Sequence, residues 1–334
     1  MALGALDTSS EPAADHEILL EFPDNRLLID LCGEFDRNLA DIEQNLDVQI
    51  VHRGNQLVVI GEDNMRQRAV DVLQSLYERL ESGRTVEAGD VDRELRMKPP
   101  QDPPGGGQLE MFKGGHVEIK TRKKLVEPRT DAQKAYVQSL FAHELAFGIG
   151  PAGTGKTYLA VAVGVSMFIT GHVDKIILSR PAVEAGEKLG YLPGDMKDKV
   201  DPYMQPLYDA LSDFLPGKQL AKLIEEKRIE IAPLAFMRGR TLSNAYVVLD
   251  EAQNATTMQM KMFLTRLGEG SRMVITGDRT QIDLPRNVPS GLQDAERLLS
   301  SIPKVSFNYF TSRDVVRHPL VAAIIEAYEA DDKA

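Results

Sequence analysis

The stretch Ile149-Gly-Pro-Ala-Gly-Thr-Gly-Lys-Thr157 constrains what this chain can fold into more than any other. Gly150, four intervening residues and then Gly155-Lys156-Thr157 have the spacing of a phosphate-binding loop. The loop follows the apolar run 145–147 and opens a helix-like segment over 158–168, which is the strand, loop and helix context that such a loop requires. Glycines let successive backbone N–H groups turn toward a phosphate, and the helix N-terminus adds a dipole that favours an anion. The candidate nucleotide-binding set is therefore Gly150, Pro151, Ala152, Gly153, Thr154, Gly155, Lys156 and Thr157. Lys156 is expected to reach the β- and γ-phosphates, and the Thr157 hydroxyl to ligate Mg²⁺.

A second signal stands downstream. Tyr246-Val-Val-Leu-Asp250-Glu251 reads as a buried strand that delivers two carboxylates to the carboxyl edge of a parallel sheet, where the phosphate loop must also lie. Asp250 is placed to hold Mg²⁺ through water, and Glu251 to orient and deprotonate the attacking water. Further strands are expected at 145–149, 175–179, 272–276 and 304–310, alternating with helices, and a shorter one at 229–232. The pattern predicts an α/β, RecA-like P-loop core covered on both faces. After the 272–276 strand, Gly277-Asp278-Arg279-Thr280-Gln281 resembles the segment that couples the γ-phosphate to the nucleic-acid surface in superfamily 1 helicases, which makes Gln281 the candidate γ-phosphate sensor. Upstream, Thr130 and Gln133 have capping-box spacing, while helicase-like ATPases place a glutamine in this region to read adenine. Both roles fit Gln133.

Only one such core is present. The residues after Gln281 are too few to build a second, so an arginine acting on the phosphates in trans must come from another subunit. The expectation is a homo-oligomeric ring, a hexamer being one closed arrangement.

The net charge of −11 over 334 residues is concentrated at the N-terminal side, where residues 1–84 contain no lysine. Residues 1–15 read as a disordered acidic terminus, and residues 16–84 as a small α+β domain. Its order of strand, helix, helix, strand, strand, helix resembles a KH-type domain. The KH loop Gly-x-x-Gly clamps a nucleic-acid backbone, whereas Gly33-Glu34-Phe35-Asp36 places acids there, so RNA contact and protein docking both remain open. Residues 85–110 are rich in proline and glycine toward their end and read as a linker to the ATPase domain at 111–334. A basic cluster, Lys120, Arg122, Lys123 and Lys124, reads as a strand that is either solvated or in contact with single-stranded RNA or DNA. The single cysteine, Cys32, excludes an internal disulfide and reads as a core residue. No apolar run reaches membrane-spanning length, and a cytoplasmic protein is the expectation.

The run Arg180-Pro-Ala-Val-Glu-Ala-Gly-Glu-Lys-Leu-Gly-Tyr-Leu-Pro-Gly-Asp195, continued by Lys199-Val-Asp-Pro-Tyr203 and Pro206-Leu-Tyr-Asp-Ala-Leu211, is more specific. It resembles the PhoH family, in the bacterial subgroup of the YbeZ type, and the likeness extends over nearly all of 126–330. The resemblance implies an Mg²⁺-dependent ATPase linked to RNA metabolism, an N-terminal KH-like segment, and a functional partner such as the rRNA-maturation endoribonuclease of the YbeY type. It also makes 314–320 a signature segment in which Arg317 is the candidate arginine finger, against the plainer reading of an ion pair with Asp314.

Overall fold

Six parallel strands carry the phosphate loop and the paired carboxylates to one edge. The computed structural model describes residues 17–97, 117–181 and 196–316, the first seven residues of the last segment as backbone only. The chain divides into two compact units, Met1–Gly105 and Gly106–Ala334. The terminus 1–15, the loop 182–195, the turn expected at 112–115 and Arg317 lie outside the described residues.

In the first unit, β1 (Glu17–Glu21), α1 (Asn25–Cys32), α2 (Arg37–Leu46), β2 (Gln49–Arg53), β3 (Gln56–Ile60) and α3 (Asp63–Glu81) follow the expected order. The strands form an antiparallel sheet in the order β1-β3-β2. Helix α3 buries Val70, Leu73, Leu76, Tyr77 and Leu80, the face that its 3.6-residue spacing marks. Cys32 is buried among these side chains, and burial, with the nearby Asp36 charge, pushes its thiol up to about 11. It is a protonated apolar filler.

One expectation needs correcting. Within the expected linker 85–110, a helix α4 (Ala88–Arg96) forms and packs against α3 and α2. Its apolar contribution is small, chiefly Val91, which is why periodicity misses it. Charge does the work instead: Glu87 and Asp90 form a capping box, Arg79 reaches Asp90 at 3.2 Å, and Arg93 reaches Glu94 at 2.8 Å.

The second unit begins with a short antiparallel hairpin, β4 (Ile119–Lys120) and β5 (Leu125–Val126). Lys120 ends β4, while Arg122, Lys123 and Lys124 lie in the turn rather than in a continuous strand, and two of these lysines are engaged. Lys123 Nζ donates to Ser212 O at 2.7 Å, and Lys124 Nζ pairs with Asp213 at 2.8 Å. Then follow α5 (Asp131–Ala142), β6 (Leu145–Ile149), α6 (Lys156–Ile169), β7 (Lys175–Arg180), α7 (Met196–Phe214), α8 (Gly217–Glu225), β8 (Ile229–Pro233), β9 (Ala245–Leu249), α9 (Thr257–Leu264), β10 (Arg272–Gly277), α10 (Gly291–Leu299) and β11 (Val305–Tyr309).

The sheet order is β11-β6-β10-β9-β7-β8, parallel throughout. Strand β10 therefore lies between the loop strand β6 and the carboxylate strand β9, the arrangement of a RecA-like core. Both faces are covered. Along β9, Tyr246 and Val248 point into one apolar core with α5, α6 and α7, while Val247 and Leu249 point into the other with α9. The expected short strand at 229–232 joins this sheet as edge strand β8, beside β7. Helix α7 runs through Pro202 and Pro206 and buries Leu207, Leu211 and Phe214 at helical spacing.

Candidate functional site

The phosphate loop links the end of β6 to the N-terminus of α6. Gly153 and Gly155 hold it with φ of 82° and 78°, where a side chain would be strained. The loop is tied across the sheet edge by Gly150 N, which donates to Gly277 O at 3.1 Å, and its far side is met by Val316 N, which donates to Gly153 O at 3.0 Å.

Lys156 folds back over the loop. Its Nζ donates to Gly150 O at 2.7 Å, to Pro151 O at 2.6 Å and to Thr154 Oγ1 at 3.3 Å. Burial lowers its pKa, and the charges of Asp278, Asp250 and Glu251 oppose that shift. A buried ammonium at a glycine-rich loop and a helix N-terminus suits an anion.

Thr157 and Asp250 meet directly. The Thr157 hydroxyl donates to Asp250 Oδ1 at 2.6 Å, and Thr276 Oγ1, from β10, donates to the same oxygen at 2.8 Å. Asp250 is 5% exposed. A hydroxyl and a carboxylate with hard oxygen donors, beside a phosphate loop, fit Mg²⁺.

Glu251 adopts φ 50°, in the left-handed region. Its Oε2 accepts from Gln253 Nε2 at 2.6 Å, and Arg180 NH2 stands 3.3 Å from its Oε1. The other end of the Gln253 amide, Oε1, accepts from Asp278 N at 3.0 Å. Asp278 in turn accepts from Thr280 N at 2.8 Å and from Gln281 Nε2 at 3.0 Å. A continuous chain of hydrogen bonds thus runs from Glu251 through Gln253 and Asp278 to Gln281.

Ala152, Gly153, Gly155, Lys156, Thr157, Asp250, Glu251 and Gln281 line one cleft of about 280 Å³, together with Tyr158, Gly277 and Asp278. Gln133 does not line it. Thr130 caps α5 by accepting from Gln133 N at 3.2 Å, while Gln133 Oε1 accepts from Arg129 N at 2.7 Å and its Nε2 donates to Thr154 O at 3.0 Å. The Gln133 side chain therefore braces the loop from behind. Asp314 accepts from Thr311 N at 2.8 Å, closing a one-turn cap. Residues missed in the sequence are Arg180, Gln253, Thr276 and Asp278. Arg180 and Asp278 stood within runs already singled out, and Gln253 lies two residues past Glu251, but their roles arise from contacts between distant segments.

The PhoH-like protein family model matches residues 125–329. A PhoH-like protein of Bacillus subtilis (strain 168) is 50% identical over 313 residues, 93% of this chain and 96% of that one. A PhoH-like protein of Synechocystis sp. is 43% identical over 314 residues, 94% of each. Protein PhoH of Escherichia coli (strain K12) is 44% identical over 202 residues, 60% of this chain and 57% of that one. The family and the RecA-like core together support nucleotide hydrolysis. A phosphate loop and an Asp-Glu strand set on a RecA-like sheet, with relatives alike along nearly the whole length, place this chain in the PhoH family.

Proposed function

We propose that this protein is an Mg²⁺-dependent ATPase whose hydrolysis is coupled to binding or remodelling single-stranded RNA as a homo-oligomer. The observation that supports the hydrolytic reading is the Thr157–Asp250 hydrogen bond with Glu251 next in sequence, a hydroxyl and two carboxylates in the cleft of one glycine-rich loop. Lys156 binds and orients the β- and γ-phosphates, and exchanges its loop carbonyls for them. Thr157 and Asp250 hold Mg²⁺, which when bound neutralises developing phosphate charge. Glu251 takes the proton of the attacking water on its carboxylate, and Gln281 contacts the γ-phosphate. Gln133 supports the phosphate loop through Thr154 O, and Arg317 of a neighbouring copy completes the charge. Glu251→Gln should cut turnover steeply to a small residual rate while sparing nucleotide binding, and a wild-type hydrolysis rate in that variant would remove the assignment. ATPase rate with and without single-stranded RNA tests the polymer. A rate indifferent to RNA removes the coupling.

A second reading, a nucleotide-gated adaptor that docks a protein such as a YbeY-type endoribonuclease, is favoured by one observation. Between residues 17 and 97, nine arginines and no lysine face eighteen acids, and Phe35 is fully exposed in the loop where a KH domain would grip phosphate. Nucleotide-dependent pull-down of that nuclease, lost in Phe35→Ala, would support it.

A further inference from the structure

Arg180 ends β7, the strand paired with β9, and stands against the carboxylate that the hydrolytic reading makes the base. Glu251 is a non-glycine residue at φ 50°, a conformation that persists only where its surroundings hold it. Both of its oxygens are engaged, Oε2 by Gln253 at 2.6 Å and Oε1 by Arg180 at 3.3 Å. Arg180 is anchored in its turn, since its NH1 donates to Tyr203 O of α7 at 3.2 Å.

The two arms of one guanidinium thus join α7 to Glu251. The ion pair is open to solvent, with side-chain exposures of 24% and 34%, so its direct worth to the fold is small. A planar fork held at both ends serves orientation better than it serves stability. We infer that Arg180 is a positioning residue, which fixes the Glu251 carboxylate against Gln253 so that it faces the cleft and the attacking water. The inference rests on Glu251 being the base.

The test measures kcat, KM and ATP affinity of Arg180→Ala, Arg180→Lys and Glu251→Gln, and of the double variant Arg180→Ala/Glu251→Gln. Arg180→Ala is expected to lower kcat roughly ten- to hundredfold, the scale of a misplaced catalytic group, with ATP affinity unchanged. Arg180→Lys, which keeps the charge but loses the fork, should recover part of the rate. In the Glu251→Gln background Arg180→Ala should cost nothing further, because a residue that acts only through Glu251 has nothing left to position. Should Arg180→Ala fail to fold, Arg180→Gln carries the same comparisons. A wild-type kcat in the arginine variants overturns the inference, as does a loss that multiplies with that of Glu251→Gln. An inactive Glu251→Gln beside a fully active Arg180→Ala removes only the role of Arg180. A fully active Glu251→Gln removes both.

Discussion

Thr157 and Asp250, 93 positions apart, share a hydrogen bond of 2.6 Å that joins the first turn of α6 to the end of β9. Thr276 adds a second donor to the same carboxylate oxygen, so three elements agree on where that oxygen sits.

Asp250→Asn keeps an acceptor for both hydroxyls and removes the charge. The Mg²⁺ concentration giving half-maximal hydrolysis should rise roughly 10–100-fold, the cost typical of losing an outer-shell partner of a metal. Thr157→Ser, which retains the hydroxyl, should stay near the wild type. A metal titration unaltered in Asp250→Asn would leave the pair a purely structural tie.

Lys156 makes nucleotide affinity depend on pH. Burial lowers its pKa below the ordinary 10.5 in the free protein, and a bound polyphosphate favours the charged form, so the pKa is higher in the complex. Affinity is therefore greatest below the free-state value and falls as the pH rises above it. In the alkaline range binding should take up protons, which calorimetry in buffers of different ionisation enthalpy reads directly. Lys156→Met should abolish that uptake, and uptake persisting in the variant would assign it to another group.

Helix α6 packs closely on β9 through Gly164. A Cβ added there would lie 2.6 Å from a ring carbon of Tyr246, itself wholly buried. Gly164→Ala should destabilise the second unit by about 1–3 kcal/mol, the usual cost of overpacking a filled core. Urea denaturation checks this, the expected result being a lower midpoint with an unchanged slope.

Much of the site was legible because its chemistry is local in the chain. Eight consecutive residues specify the phosphate loop, and Asp250-Glu251 follow an apolar run that can only be a buried strand. What needed the fold was the set of partners. Gln133 carried both a capping and a nucleotide reading, and the structure turns its side-chain amide onto Thr154 O and Arg129 N. The basic residues 120–124 read as one exposed strand until Lys123 and Lys124 are seen bonded to the C-terminal end of α7. Helix α4 escaped notice because acid-base pairs rather than an apolar stripe hold it in place.

The sequence by itself determined the alternation of strands with helices, the glycine-rich loop between β6 and α6 and the strand that ends in two carboxylates. These follow from periodicity and spacing, which are properties of neighbours along the chain. Only the tertiary structure decided that β10 separates β6 from β9, that Thr157 meets Asp250, and that Arg180 and Gln253 hold the two oxygens of Glu251. Strand order and side-chain partnership depend on contacts between distant segments, and no local pattern of residues encodes which of several buried strands will lie side by side.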